Sequence, residues 1–176
     1  MGVALFSPET IMSPPPELLE TVRDSKKLTP RGRRKSLEII MNHCLCVETI
    51  LVPHRIVDRL NVNGATEYAL RLLVGRLSAA PDVVIMDGNF RFTVGCEFMP
   101  LVKGDSICLS VAAASIAAKL RRDEVMERMD ARYPGYGFAG HKGYGTSEHL
   151  AAIEKLGPCP IHRRSYDPVR SMIGNF

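Results

Sequence analysis

Two aspartates stand where a carboxylate could do chemistry. Asp87 follows the apolar run Val83-Val84-Ile85-Met86, and Asp105 follows Pro100-Leu101-Val102-Lys103-Gly104 and opens a long helical stretch. In α/β sheets, sites collect at the carboxyl ends of strands. Two carboxylates brought together there repel each other unless they share a cation, and oxygen ligands suit Mg2+ or Mn2+. Such an ion activates a water and stabilises the leaving oxygen in phosphodiester cleavage. A plainer reading stays open for each residue: Asp87-Gly88 is a turn dipeptide, and Asp105 can cap its helix.

Positive charge forms the second pattern. Arg23, Lys26, Lys27, Arg31, Arg33, Arg34 and Lys35 face only Asp24 within their segment, and His141, Lys142, His162, Arg163 and Arg164 form another group. Such clusters can hold a phosphate backbone, or can be a solvated helix face. The stretch Tyr136–Gly145 mixes Tyr136, His141, Lys142 and Tyr144 with several glycines. A ring there can stack on a base or sugar while the lysine holds phosphate, or the tyrosines can fill a packed loop. His149, in the first turn of a helix, is expected at the surface. His162 reads equally as structural or functional.

The elements that must position these residues alternate between strand and helix. Gly2–Phe6 reads as a strand stopped by Ser7-Pro8, and Pro14-Pro15-Pro16 as a stiff connector. Thr29-Pro30 is a helix start, with a hydroxyl cap and a proline in the first turn. Cys46–Val52 is rich in β-branched residues and reads as a strand ending at Pro53. Ile56–Leu77 reads as helical, with Ala65, Ala69, Leu72, Leu73 and Leu77 inward and a break at Asn61–Gly64. Val83–Met86 suits a strand buried on both faces. Phe98–Val102 suits a further strand, which Pro100 puts at an edge or a bulge. Ser106–Asp130 is the longest helical stretch, ended by Tyr133-Pro134. Tyr136–Gly145 reads as a loop. Thr146 starts a helix with Leu150, Ile153 and Leu156 inward, closed by Gly157-Pro158. Asp167-Pro168 starts a short one. The alternation points to a mixed α/β layer architecture.

Composition sets the frame. A chain of 176 residues, 45% hydrophobic and 24% charged, is neither disordered nor fibrous and is expected to form a single domain over 1–176. The net charge of +4 says less than its clustering. The five cysteines fit no zinc framework, so reduced thiols in a cytoplasmic protein are expected. No signal-peptide pattern opens the sequence, and Ser106–Ala118 is too short to span a membrane. No glycine-rich nucleotide fingerprint supports a generic phosphate-handling α/β protein.

Seven segments, in order, carry a resemblance. They are Asp24-Ser25-Lys26-Lys27-Leu28-Thr29, Met86-Asp87-Gly88-Asn89, Val102-Lys103-Gly104-Asp105, Ala112-Ala113-Ala114-Ser115-Ile116 with Ala118-Lys119, Tyr133-Pro134-Gly135-Tyr136-Gly137-Phe138, His141-Lys142-Gly143-Tyr144-Gly145-Thr146 and Gly157–Ser165. Together they resemble ribonuclease HII, the type 2 ribonuclease H. The resemblance implies an α/β, ribonuclease H-like mixed sheet of five strands flanked by helices, with a helical C-terminal region. It implies an endonuclease that hydrolyses the RNA strand of RNA–DNA hybrids and cuts at ribonucleotides embedded in duplex DNA, using Mn2+ or Mg2+. Asp87 and Asp105 match two of the family's four metal-binding acidic residues. Ser25, Lys26 and Lys27 match its phosphate-contacting segment, and Tyr144 its sugar-packing tyrosine. Lys103, Lys142, Arg163 and Arg164 complete the expected nucleic-acid contacts. The expected protein is a monomer with no membrane partner.

The sequence also departs from the family. Members open with a strand ending in Asp-Glu-Ala-Gly-Arg-Gly, followed by a second strand that Gly2–Phe6 resembles. The expectation is therefore a truncated domain whose central first strand is missing, with two of the four carboxylates. Each buried backbone group left unpaired costs about 1–3 kcal/mol, against total stabilities of about 5–15 kcal/mol. The alternative to an active nuclease is a catalytically inactive remnant that binds hybrid nucleic acid without cutting it.

Overall fold

The computed structural model describes residues 1–23 and 28–174. The elements run β1 (Gly2–Leu5), α1 (Pro8–Met12), α2 (Pro16–Arg23), α3 (Pro30–His43), β2 (Cys46–Thr49), α4 (His54–Val74), β3 (Val83–Asp87), β4 (Glu97–Leu101), α5 (Gly104–Ile107), α6 (Leu109–Arg132), α7 (Phe138–His141), α8 (Ser147–Leu156) and α9 (Val169–Ile173). The mixed α/β class is as expected. The chain gathers into two compact units, one of Met1–Leu51 with Thr66–Leu120, the other of Val52–Ala65 with Arg121–Phe176.

In the first unit, β1 pairs antiparallel with β2 from Gly2 opposite Thr49 to Leu5 opposite Cys46. β3 pairs parallel with β4 from Val83 opposite Glu97 to Asp87 opposite Leu101. Among the described residues these are two separate two-stranded sheets, not one sheet of five strands. The strand that the resemblance sets between β1 and β3 has no counterpart among them. The reading of β3 as buried on both faces is corrected as well: Val84 is buried, but Val83, on the opposite face, is 37% exposed. β2 stops at Thr49 rather than Val52, its pairing with β1 closing in two bonds, from the Ile50 N–H to the Met1 carbonyl and from the Met1 amino group to the Ile50 carbonyl.

The core of this unit gathers Ala4, Phe6, Leu18, Val22, Ile40, Ala112, Ala113 and Ile116. The alanines on α6 let β1 come very close: a Cβ on Gly2 would lie 2.6 Å from the Ala114 carbonyl oxygen. α3 starts where the sequence places it, with Thr29 Oγ1 accepting the Gly32 N–H at 3.1 Å. The expected helix from Ser106 is two helices, broken where Cys108 turns extended at φ −123°. The predicted break in α4 is at Asn61, whose backbone leaves the helical region at φ 55°. Its side-chain oxygen then accepts the N–H groups of Asn63 and Gly64 and restarts the helix. On the inward side of α4, Leu70 is buried with Ala65, Ala69 and Leu73, whereas Leu72 is only half-buried; the helix ends at Val74, so Leu77 lies beyond it.

In the second unit, Tyr136, Phe138, Ile153 and Val169 form the core, with Met126, Met129 and Tyr133 against it. The stretch Tyr136–Gly145 contains one helical turn, α7. α8 begins at its expected cap, Thr146, which accepts the His149 N–H. Its inward face differs from the expected leucine stripe: His149 and Ile153 are buried, while Leu150 and Leu156 are exposed. His149 is therefore not the surface residue its position suggested. Its two ring nitrogens have partners inside the unit, which removes the cost of burying it. Among the described residues, no helix is long and apolar enough to cross a membrane.

Candidate active site

Asp87 is the last residue of β3, and Asp105 lies in the first turn of α5, just past the end of the parallel neighbour β4. One hydrogen bond ties the two strand ends: the Gly104 N–H donates to Asp87 Oδ1 at 2.8 Å. A second closes the turn, from the Gly88 N–H to the Leu101 carbonyl at 3.1 Å. Space at position 104 is tight. A Cβ there would stand 3.3 Å from Val111 Cγ1 and 3.4 Å from the Asp87 Cα. The residue following this contact is Asp105, whose Oδ1 accepts the Ser106 hydroxyl at 3.3 Å. The plainer reading of Asp87 is realised, since the strand ends there at a turn, but Asp105 does not cap its helix: Lys103 holds the cap position, without a side-chain hydrogen bond. The donor set is two carboxylates. No group of three or more His, Cys, Asp or Glu able to hold one ion occurs among the described residues. Such a set fits a hard divalent cation that is held by one or two carboxylates and completed by water and phosphate oxygens.

Two lysines named from the sequence share an unusual backbone. Asn61, Lys103 and Lys142 are the non-glycine residues with positive φ among those described. Lys103 lies at φ 59° as the residue before α5, and Lys142 at φ 53° as the residue after α7. Asparagine tolerates this region, whereas for a lysine it costs energy that persists only where surrounding contacts enforce it, and such residues cluster at functional sites.

Tyr144 and Lys142 are brought together in the second unit. The Arg122 guanidinium lies 4.0 Å from the centre of the Tyr144 ring. It also donates to the Lys142 carbonyl at 2.6 Å. The Lys142 ammonium pairs with Glu127 at 2.8 Å. Tyr144 stays 57% exposed. In the same unit, two histidines form an ordered chain, with His141 stacked on one of them, His149, at 4.2 Å between ring centres. The Cys159 N–H donates to His162 Nδ1 at 2.9 Å, so the proton of that ring is on Nε2. His162 Nε2 lies 3.1 Å from His149 Nε2, and His149 Nδ1 lies 2.8 Å from the Tyr144 carbonyl. Each ring therefore donates forward while neutral. By the same logic His141 accepts the Gly143 N–H at Nδ1 and donates from Nε2 to the Tyr136 carbonyl. Burial pushes both His149 and His162 below the ordinary histidine range, more strongly than their backbone hydrogen bonds pull them up.

Arg163 and Arg164 sit on a segment fixed by Asp58. The carboxylate of Asp58 accepts the Arg164 N–H, the Ser165 N–H and the Ser165 hydroxyl at 3.0, 3.0 and 2.6 Å. Burial pushes this carboxyl up, but the hydrogen bonds from Ser165 and Arg164 outweigh it and hold the group below the usual carboxylate range. The Arg163 guanidinium lies 5.0 Å from the Tyr166 ring centre. Ser25, Lys26 and Lys27 fall outside the described residues. Sequence reasoning did not name Arg122, Asp58 or Glu127, because only contacts formed on folding single them out.

A family model for ribonuclease HII matches residues 15–169. The ribonuclease HII of Acetivibrio thermocellus is 42% identical over 156 residues, covering 89% of this chain and 61% of that protein. The ribonuclease HII of Geobacter sp. strain M21 is 45% identical over 160 residues, covering 91% of this chain and 70% of that one. The chain thus spans 61% to 70% of the length of these two relatives. The ribonuclease H2 of Pyrococcus horikoshii superimposes with a TM-score of 0.79 at 22% identity, covering 97% of this chain and 87% of that one; that likeness concerns the fold alone.

Proposed function

Because this chain belongs to the ribonuclease HII family, we propose that it is an endonuclease that hydrolyses the RNA strand of RNA–DNA hybrids and cuts duplex DNA at embedded ribonucleotides. Asp87 and Asp105 are the carboxylates that would hold Mg2+ or Mn2+. The observation that carries the reading is the Gly104 N–H bond to Asp87 Oδ1, which sets both residues at the ends of one parallel strand pair. When bound, the cation supplies water activation and charge neutralisation at the leaving oxygen.

The remaining roles belong to the chain's own side chains. Asp87 keeps one oxygen on Gly104 and is thereby held in a fixed rotamer. Lys103, Lys142, Arg163 and Arg164, with Ser25, Lys26 and Lys27, supply contacts to phosphates, which position the duplex without reading its sequence. Tyr144 offers its ring to the sugar beside the cleavage position, where the 2′-hydroxyl distinguishes RNA from DNA. The proposed protein works as a monomer in the cytoplasm, and residues 1–176 act as one domain.

The test is cleavage of a duplex carrying one ribonucleotide, in Mg2+ and then in Mn2+. Cutting beside the ribonucleotide that Asp87→Asn abolishes supports the proposal. Salt-sensitive binding of hybrid with no cutting in either metal defeats it and leaves the inactive remnant as the reading.

A further inference from the structure

We propose that Arg122 is a positioning residue for Tyr144, holding the ring in the one orientation in which it can meet a sugar. The proposal rests on the reading of Tyr144 as the substrate-facing ring. Its backbone is already pinned: the Tyr144 N–H donates to the His141 carbonyl, and its own carbonyl accepts the Thr146 N–H and the His149 ring. What remains to be fixed is the side-chain rotamer. The ring is more than half exposed, so each contact it does make weighs on its rotamer.

Arg122 makes such a contact, and one group serves two partners. Its central carbon lies over the Tyr144 ring, 4.0 Å from the centre, while an N–H donates to the Lys142 carbonyl at 2.6 Å. The second bond also holds Lys142 in its left-handed backbone, two residues before the ring. Only a planar guanidinium can stack and donate from its edge together; an ammonium keeps the charge but must give up one contact. The anchor arises on α6, whose regular backbone is a firmer base than the glycine-rich loop carrying the ring.

Arg122→Lys, Tyr144→Ala and the double variant test this by binding to an RNA–DNA hybrid and to a DNA duplex of the same sequence. Arg122→Lys is expected to cut the preference for hybrid about three- to tenfold. The salt dependence should stay unchanged, since the charge is kept. In the Tyr144→Ala background the same substitution should change nothing further. An equal loss in both backgrounds would show that Arg122 acts on phosphate or on the fold, and overturns the proposal. In the free protein, the ring-proton resonances of Tyr144, assigned by their loss in Tyr144→Phe, should move in Arg122→Lys. Unmoved resonances overturn it too. A wild-type chain with no preference for hybrid defeats the substrate reading itself, and the resonance shift then tells that failure apart from a failure of positioning.

Discussion

Asp87 Oδ1 accepts the Gly104 N–H at 2.8 Å, so the strand that ends in one candidate carboxylate is tied directly to the helix that begins with the other. The bond makes Asp87 both a structural acceptor and a ligand, and substitutions can separate the two roles. Asp87→Asn keeps an oxygen for Gly104 and should cost under about 1 kcal/mol of stability while abolishing cleavage. Asp87→Ala leaves the N–H of buried Gly104 unpartnered and should cost about 1–3 kcal/mol in addition to activity. Denaturant unfolding beside the cleavage assay checks both. Equal stability losses for the two variants would mean the bond contributes nothing.

Lys103 in its left-handed backbone invites the opposite experiment. Lys103→Gly should raise stability by about 1 kcal/mol by relieving the conformation. It should also lower the slope of log affinity against log salt by about one unit, as expected for one lost phosphate contact. A more stable protein with an unchanged salt slope would remove Lys103 from the interface.

The histidine chain behind Tyr144 makes stability depend on pH. Burial holds His149 and His162 below the ordinary histidine range. The unfolded chain therefore takes up protons near pH 6.5 that the folded chain refuses, and stability, complete above that pH, falls as pH drops through it. The slope is at most about 1.4 kcal/mol per pH unit for each histidine. Urea unfolding between about pH 7.5 and pH 5 should show the fall, and the doubly substituted His149→Gln, His162→Gln protein should flatten it. An equally steep curve in that variant assigns the effect to other groups.

Asp58 holds the segment bearing Arg163 and Arg164 from 106 residues away in sequence. Asp58→Asn keeps an acceptor for Ser165 but turns a donor toward the Arg164 N–H, and should cost about 1–2 kcal/mol. Ser165→Ala, which removes only the hydroxyl contact, should cost less. Reversal of that order in thermal unfolding would contradict the hydrogen-bond pattern.

Local chemistry explains which parts of this fold could be foreseen. The starts of α3 and α8 and the break in α4 are written in Thr29, Thr146 and Asn61, whose side chains bond to backbone two or three residues on. The places of Asp87 and Asp105 in the fold were legible: one ends an apolar run read as a strand, and the other follows Lys103-Gly104 at the start of a helix. The inward face of α8 was not. A helical period favours Leu150 and Leu156, and nothing near His149 in sequence announces that Tyr144 and His162 will satisfy its ring. Arg122 and Asp58 act across 20 and 106 residues, so no spacing rule could reach them.

β3 hydrogen-bonds to a neighbour on one flank only among the described residues, and Val83 at its start is exposed. An open flank of that kind is a template for whatever extended peptide meets it first. Handled alone at high concentration, two copies of this chain can zip together along it, so oligomers and precipitate become a matter of protein concentration. A short peptide designed to lie along β3 would compete for the same flank, and would act as a solubiliser.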